Sequence, residues 1–247
     1  MFLLWVCLFV LAISEVCRII EATKIKIAQL CCAYMERYMP DKPISADNPF
    51  ANLSQTQYLQ IQQWYQHHIS TELNTLLKGK GKVLVVGHSQ TNQTGIDRAS
   101  GFVNRIKAKY PNITLLETQY AEGGDQTKAQ DIVAAALVAN KDLKGIYGTN
   151  EGVSIGAGQA FKAANVAKGS IKLIGFDSGK QQMANIKDGL QSGAITQSPM
   201  GIGAKTVEAL VNYVRNKTVP APLIDTGFYY YDAKNITEPK IAGNLYE

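Results

Sequence analysis

The chain has 247 residues, 46% hydrophobic and 18% charged, enough to bury the core of one or two ordinary domains. Its net charge of +5 is mildly basic, but the lysines are scattered, which argues against a nucleic-acid-binding surface. All four cysteines, Cys7, Cys17, Cys31 and Cys32, lie in the first 32 residues, excluding a disulfide framework across the fold, and their spacing is wrong for a zinc site.

In chain order, Met1–Ile13 (MFLLWVCLFVLAI) is an unbroken apolar run, short for a membrane-spanning helix and of the length of a signal-peptide core. No Lys or Arg precedes it and no A-x-A site follows it. Despite those two departures the length of the run makes an exported leader the first reading, with an uncleaved anchor or a spurious or rearranged start as alternatives. Residues 14–40 read as a helix, Asp41–Ser54 as a loop, and Tyr58–Leu77 as a second helix with a broken apolar stripe. On that helix His67 and His68 point about 100° apart and cannot share a metal, so both read as surface histidines. The segment Lys78-Gly-Lys80-Gly-Lys82 reads as a solvated turn before a strand.

From Lys82 the texture changes. Strands are expected at Val83–Val86, Ile113–Glu117, Gly145–Tyr147, Lys172–Phe176 and Ala194–Thr196. Helices fall between them near Gly95–Lys109, Gln126–Asn140, Glu151–Ala164 and Lys180–Asp188. This alternation predicts an α/β fold, a doubly wound, Rossmann-like parallel sheet covered on both faces, preceded by a mainly helical N-terminal region. A further helix (Gly203–Arg215) and a Tyr-rich strand (Leu223–Tyr231) are expected to leave this lobe for a neighbour.

Ligands of open parallel sheets sit beyond the carboxyl ends of the strands. Four polar residues fall there: Arg98 early in the first helix, Asn150 after GIYG, Asp177 after KLIGF and Gln197 after AIT. A carboxylate, a guanidinium and two amides suit a polyhydroxyl ligand, since between them they accept and donate in fixed directions. Asn150 and Asp177 could equally cap the helices that follow them, and Arg98 could be a surface ion-pair partner. His88, after the first strand, has no evident partner. No Ser-His-Asp order, P-loop or HExxH motif is present, so the chain does not read as an enzyme, and no cofactor or metal is implied.

The ordered set GKGKVLVVG…GIDRASGFVNRIKAKYPNI, GIYGTNEGVSIGAGQAFKAA, IKLIGFDSG, QSPMGIGAKTVEALVNYV and the closing KNITEPKIAGNLYE resembles the ribose-binding-protein family. Those proteins are sugar-binding components of bacterial ABC importers and share their fold with LacI-type effector domains. The resemblance implies the C-terminal lobe of a type I periplasmic binding protein over residues 79–247, after a leader or anchor (1–20) and a helical and loop region (21–78). It implies a periplasmic protein whose ligand is a pentose or hexose, whose partner is a membrane ABC permease, and which binds no nucleic acid. By position, the family's sugar contacts fall on Arg98, Asn150, Asp177 and Gln197. Relatives often carry an acidic–aromatic dipeptide where this chain has Glu122-Gly123-Gly124-Asp125. The family's first lobe should supply several βαβ units upstream, and the 81 residues before Lys82 lack that pattern. Weak or absent sugar binding is therefore expected unless residues 14–77 provide cover, with aggregation or dimerisation through uncovered apolar surface. A LacI-type effector or sensory domain, or a gene fragment with little ligand binding, is the alternative.

Overall fold

A computed structural model of the chain describes residues 67–221 and 224–246. The expected leader, the helix at 14–40, the loop at 41–54 and the first part of the helix at 58–77 lie outside the described residues. The remainder of that last helix is α1, described over residues 67–77. It ends at Lys78 and Gly79, both with positive φ (54° and 80°), where Gly79 N–H donates back to Asn74 O (3.0 Å).

Strand β1 (Gly81–Gly87) follows at once, so the lysine-rich turn runs into the sheet, and Lys82 within it pairs with Asp142 at 2.8 Å. The order then runs α2 (Gln93–Lys109), β2 (Ile113–Leu115), β3 (Gln119–Tyr120), a 3₁₀ turn at Glu122–Gly124, α3 (Gln126–Ala139), β4 (Leu143–Gly148), α4 (Glu151–Ala163) and β5 (Lys172–Phe176). It closes with α5 (Lys180–Lys187), β6 (Gly193–Gln197), α6 (Pro199–Asn216), β7 (Phe228–Tyr231) and the short α7 (Pro239–Ala242). The strand at Ile113–Glu117 is shorter than expected, ending at Leu115, and β3 follows as an additional short strand: β2 pairs with the start of β1 and β3 with its end. Both lie along one edge of β1, because β4 occupies the other.

The sheet order is β2-β1-β4-β5-β6-β7, parallel throughout except for β7. The chain winds outward from β1 to β2 and β3, crosses back through α3 and winds the other way from β4, so the winding reverses between β1 and β4. Both faces are covered, which is why β1 is a continuous apolar run rather than an alternating one. Val83 and Val85 pack with Ile69 and Leu73 of α1 and with Phe102 and Ile106 of α2. Leu84 and Val86 face the other way, against Val133 of α3 and Val153, Ala157 and Phe161 of α4.

The C-terminal third departs from expectation in one of its two elements. The Tyr-rich strand does not leave the lobe: β7 adds to it antiparallel, with Ile195 opposite Tyr230, and Tyr231 is fully buried. Edge pairing with β6 and a third core cluster formed by Met183, Ile186, Ala194, Tyr231 and Ile236 hold it there. Helix α6 packs little of its surface among the described residues. No residue of α6 is buried, and Met200, Val207 and Val214 are 72%, 60% and 53% exposed. Among the described residues no helix is long and apolar enough to cross a membrane.

Candidate functional site

The reversal between β1 and β4 opens a crevice at the carboxyl edge, and the chain segments leaving the strands deliver polar groups to it. Gly148 ends β4, and Thr149 and Asn150 follow. Asn150 caps α4: its Oδ1 accepts from Val153 N–H at 3.0 Å. A Cβ at Gly124 would sit only 2.3 Å from Asn150 Nδ2, so the Gly123–Gly124 turn, with φ of 69° and 71°, closes over that amide. The capping alternative for Asn150 is therefore realised.

Asp177 is not a cap. Gly179 takes the N-cap position of α5 with no side-chain hydrogen bond, while Asp177 adopts a left-handed backbone (φ 69°). Its N–H donates to Ile195 O (2.7 Å), and its carbonyl accepts from Gln182 Nε2 (2.9 Å) and from the Tyr231 hydroxyl (2.9 Å). Backbone conformations of this kind cost energy and persist where surrounding bonds fix them, commonly at functional sites. Tyr231, on the strand that stays in the sheet, thus helps hold Asp177 in place.

Arg98 joins the two loops. Its Nη1 donates to Thr149 O (2.9 Å) and pairs with Asp177 Oδ2 (3.4 Å), and its guanidinium carbon lies 3.6 Å from the centroid of the Phe176 ring. Stacking on an aromatic face and forking to a carboxylate are both suited to arginine's flat, permanently charged group. The surface ion-pair alternative does not describe this residue, whose side chain is largely buried. Gln197 ends β6 next to the extension of β5, but makes no side-chain hydrogen bond to Arg98, Asn150 or Asp177. Arg98 thus links Asp177 to the Thr149–Asn150 loop, while Gln197, two residues past the Ile195 carbonyl that bonds Asp177 N–H, takes no part in those hydrogen bonds.

His88, seen in the sequence as partnerless, is bonded to the loop after β4. Its N–H donates to Thr149 Oγ1 (2.9 Å), and its Nδ1 lies 2.7 Å from the same oxygen. Burial, with the Arg98 charge adding to it, lowers the imidazole's proton affinity against opposing pulls from Asp177 and Glu122. Glu122 Oε1 accepts from Gln90 N–H (2.9 Å), joining the Glu122-Gly123-Gly124-Asp125 segment to the loop after β1. Glu151 is pushed above the usual carboxylate range by burial and by Asp177's charge, and accepts a long bond from the Tyr246 hydroxyl (3.5 Å). The signal for His88 was its place directly after the first strand; the Thr149 contact, 61 residues away, left no trace in the sequence.

A doubly wound lobe with polar groups gathered at its reversal point defines a small-ligand-binding module of the type I periplasmic binding protein kind. The chain belongs to the family described as periplasmic binding protein domain, whose model matches residues 60–218. This is a family of sugar-binding transport proteins of the periplasm rather than of enzymes. The chain is 30% identical over 131 residues to the ribose import binding protein RbsB of Bacillus subtilis, a match covering 51% of this chain and 41% of that one. Its structure resembles an ABC transporter solute-binding protein from Agrobacterium vitis bound with alpha-D-tagatopyranose (TM-score 0.69, 30% identity, 75% of this chain and 61% of that chain). Another from the same organism, with bound D-fucose, is similar (TM-score 0.69, 28% identity, 74% of this chain and 62% of that chain). The match thus spans less than half the length of the curated relative.

Proposed function

We propose that residues 79–247 form the ligand-gripping lobe of a monosaccharide-binding protein serving a bacterial ABC importer. In this reading the protein is exported to the periplasm by its N-terminal apolar segment and delivers its sugar to a membrane permease. Arg98, Asp177, Asn150 and Gln197 contact sugar hydroxyls; no catalytic step is involved. The observation that carries the reading is Arg98, held between Thr149 O and Asp177 and stacked on Phe176 at the carboxyl edge. An arginine fixed on one side by two partners keeps its remaining N–H groups aimed in set directions, which is what recognition of a polyol requires. The named ligands of the similar structures, tagatose and fucose, and the ribose of the similar importer protein agree with that ligand class.

A single lobe grips from one side only, and hydroxyl contacts that stay wet gain little net free energy. Affinity of the chain alone is therefore expected in the millimolar range, about −4 kcal/mol. The test is an NMR titration of the 247-residue chain with D-ribose, D-tagatose and D-fucose, following the amides of residues 88–98, 149–151, 177–179 and 197. Saturable shifts confined to those segments, lost in Arg98→Ala, are expected. No response to any of the sugars, or an equal response in Arg98→Ala, would sink the reading.

A further inference from the structure

Hydrogen-bond accounting at Thr149 fixes the state of His88. The Thr149 side chain is fully buried, and among the described residues its hydroxyl has two partners, His88 N–H at 2.9 Å and His88 Nδ1 at 2.7 Å. The backbone N–H can only donate, so it takes a lone pair of Oγ1. The hydroxyl proton then needs an acceptor, and Nδ1 is the one within reach. Nδ1 is therefore the unprotonated nitrogen, and the ring proton sits on Nε2. Nε2 has only a long contact, 3.5 Å, to Thr94 Oγ1, whose own proton is directed at Asn92 Oδ1. The imidazole is half-buried, so its one N–H donor stands at the carboxyl edge without a strong partner.

His88 and Thr149 are the residues that follow β1 and β4, so their bond straddles the crevice where the winding reverses. Thr149 also binds Arg98 through its carbonyl. We propose that His88 is a further ligand-contacting residue of this site: locked neutral by Thr149, it donates Nε2–H to a hydroxyl or ring oxygen of a sugar in the crevice and makes sugar binding sensitive to pH. This rests on the sugar-binding function proposed for the lobe.

The pH sensitivity follows from the same bonds. The charged and titratable groups facing His88 are Arg98 on α2, Asp177 after β5 and Glu122 in the turn before α3. Protonating Nδ1 turns it into a donor, so the buried Thr149 hydroxyl would meet two donors and lose the acceptor for its own proton. It would also set a second cation beside Arg98. Protonation therefore has to rearrange the joint between the two loops that hold the ligand, and sugar binds the neutral form better.

The experiment is an NMR titration with the same three sugars at pH 7.5 and 5.5, using the full chain and its His88→Ala, His88→Gln and Arg98→Ala variants. His88→Ala is expected to weaken D-ribose, D-tagatose or D-fucose binding about three- to tenfold at pH 7.5, the usual effect of losing one neutral hydrogen bond. His88→Gln, whose amide nitrogen reaches where Nε2 stands, recovers part of that loss. Wild-type affinity falls at pH 5.5, and the fall is absent in His88→Gln. If both His88 variants bind like the wild type with the same pH profile while Arg98→Ala does not bind, the His88 proposal is overturned and the sugar site stands. If no sugar binds the wild type, the sugar reading fails and takes the ligand role of His88 with it. A long-range ¹⁵N spectrum of the free chain tests the lock independently of any sugar. An Nε2–H tautomer that shifts toward the Nδ1–H form in Thr149→Val supports the lock, and an Nδ1–H tautomer in the wild type overturns it.

Discussion

Helices α4 and α6 are both rich in small and aliphatic residues, yet they end in opposite environments. Thirteen residues make up α4, and eight of them, Val153–Gly158, Ala160 and Phe161, are buried. The eighteen residues of α6 include none. The difference lies in what each helix meets. In α4, Gly156 admits α3 to backbone distance: a Cβ there would stand 2.3 Å from Gln126 O and 2.8 Å from Ala129 Cβ. In α6, a Cβ on Gly203 would meet nothing within 4 Å. Gly156 serves close approach between helices, whereas Gly203, in the body of α6, has no neighbour to approach among the described residues. Apolar composition records that a helix needs a partner; it does not say which, or whether the partner is present.

Core truncation should separate the two helices most sharply. Phe161→Ala removes a buried ring from the cluster between α4 and the sheet and is expected to cost about 3–5 kcal/mol in urea unfolding. Val207→Ala, on the uncovered face of α6, should change stability by no more than about 0.5 kcal/mol. A loss above about 2 kcal/mol for Val207→Ala is on the scale of a buried side chain and would show that α6 is covered in solution.

A smaller separation is expected from the glycines. Gly156→Ala forces a methyl against backbone and a neighbouring Cβ, and overpacking of that sort costs about 1–3 kcal/mol. Gly203→Ala has free space around it and should stabilise the chain by about 0.5–1 kcal/mol, through the lower conformational entropy of the unfolded state and better helix propensity. Opposite signs in parallel denaturation curves are the result that upholds the comparison. If both substitutions destabilise, α6 meets a close neighbour.

The same contrast explains how much could be read before the structure. Strands buried on both faces are continuous apolar runs, so β1, β4, β5 and β6 fell within two residues of their expected bounds. β3 escaped because Gln119–Tyr120 carries no apolar signal; its pairing comes from the chain passing the end of β1. The run Phe228–Tyr231 signals a strand, but whether it joins this sheet or another depends on an open edge at β6, which no local pattern encodes. At the carboxyl edge, the strand-end rule was enough to place Arg98, Asn150 and Asp177 there. It could not separate cap from contact at Asn150, whose Oδ1 the structure places as the cap of α4. Nor could it show the left-handed turn at Asp177, where no glycine marks the bend.

Acid should produce the smallest effect, and its sign follows from groups on the well-packed side of the molecule. His68, its ring tilted against Phe228 at 5.1 Å, has its pKa lowered by burial and then by His67; His88 is lowered by burial and then by Arg98. Below the ordinary histidine value of about 6.5 the unfolded chain takes up these protons more readily than the folded one, so stability falls as pH drops from about 7. Glu72 and Glu151 act in the opposite direction. Burial raises both, helped by Asp232 and Asp177 respectively, so the folded chain binds their protons first and recovers stability as pH falls toward their ordinary value of 4.5. Urea midpoints should therefore decline between pH 7 and 5.5, then flatten as the two glutamates protonate. His88→Gln should make that decline shallower while leaving the glutamate part in place. An equally steep decline in His88→Gln would mean that His88 is as easily protonated folded as unfolded, and that its bond to Thr149 does not hold the ring in its neutral form.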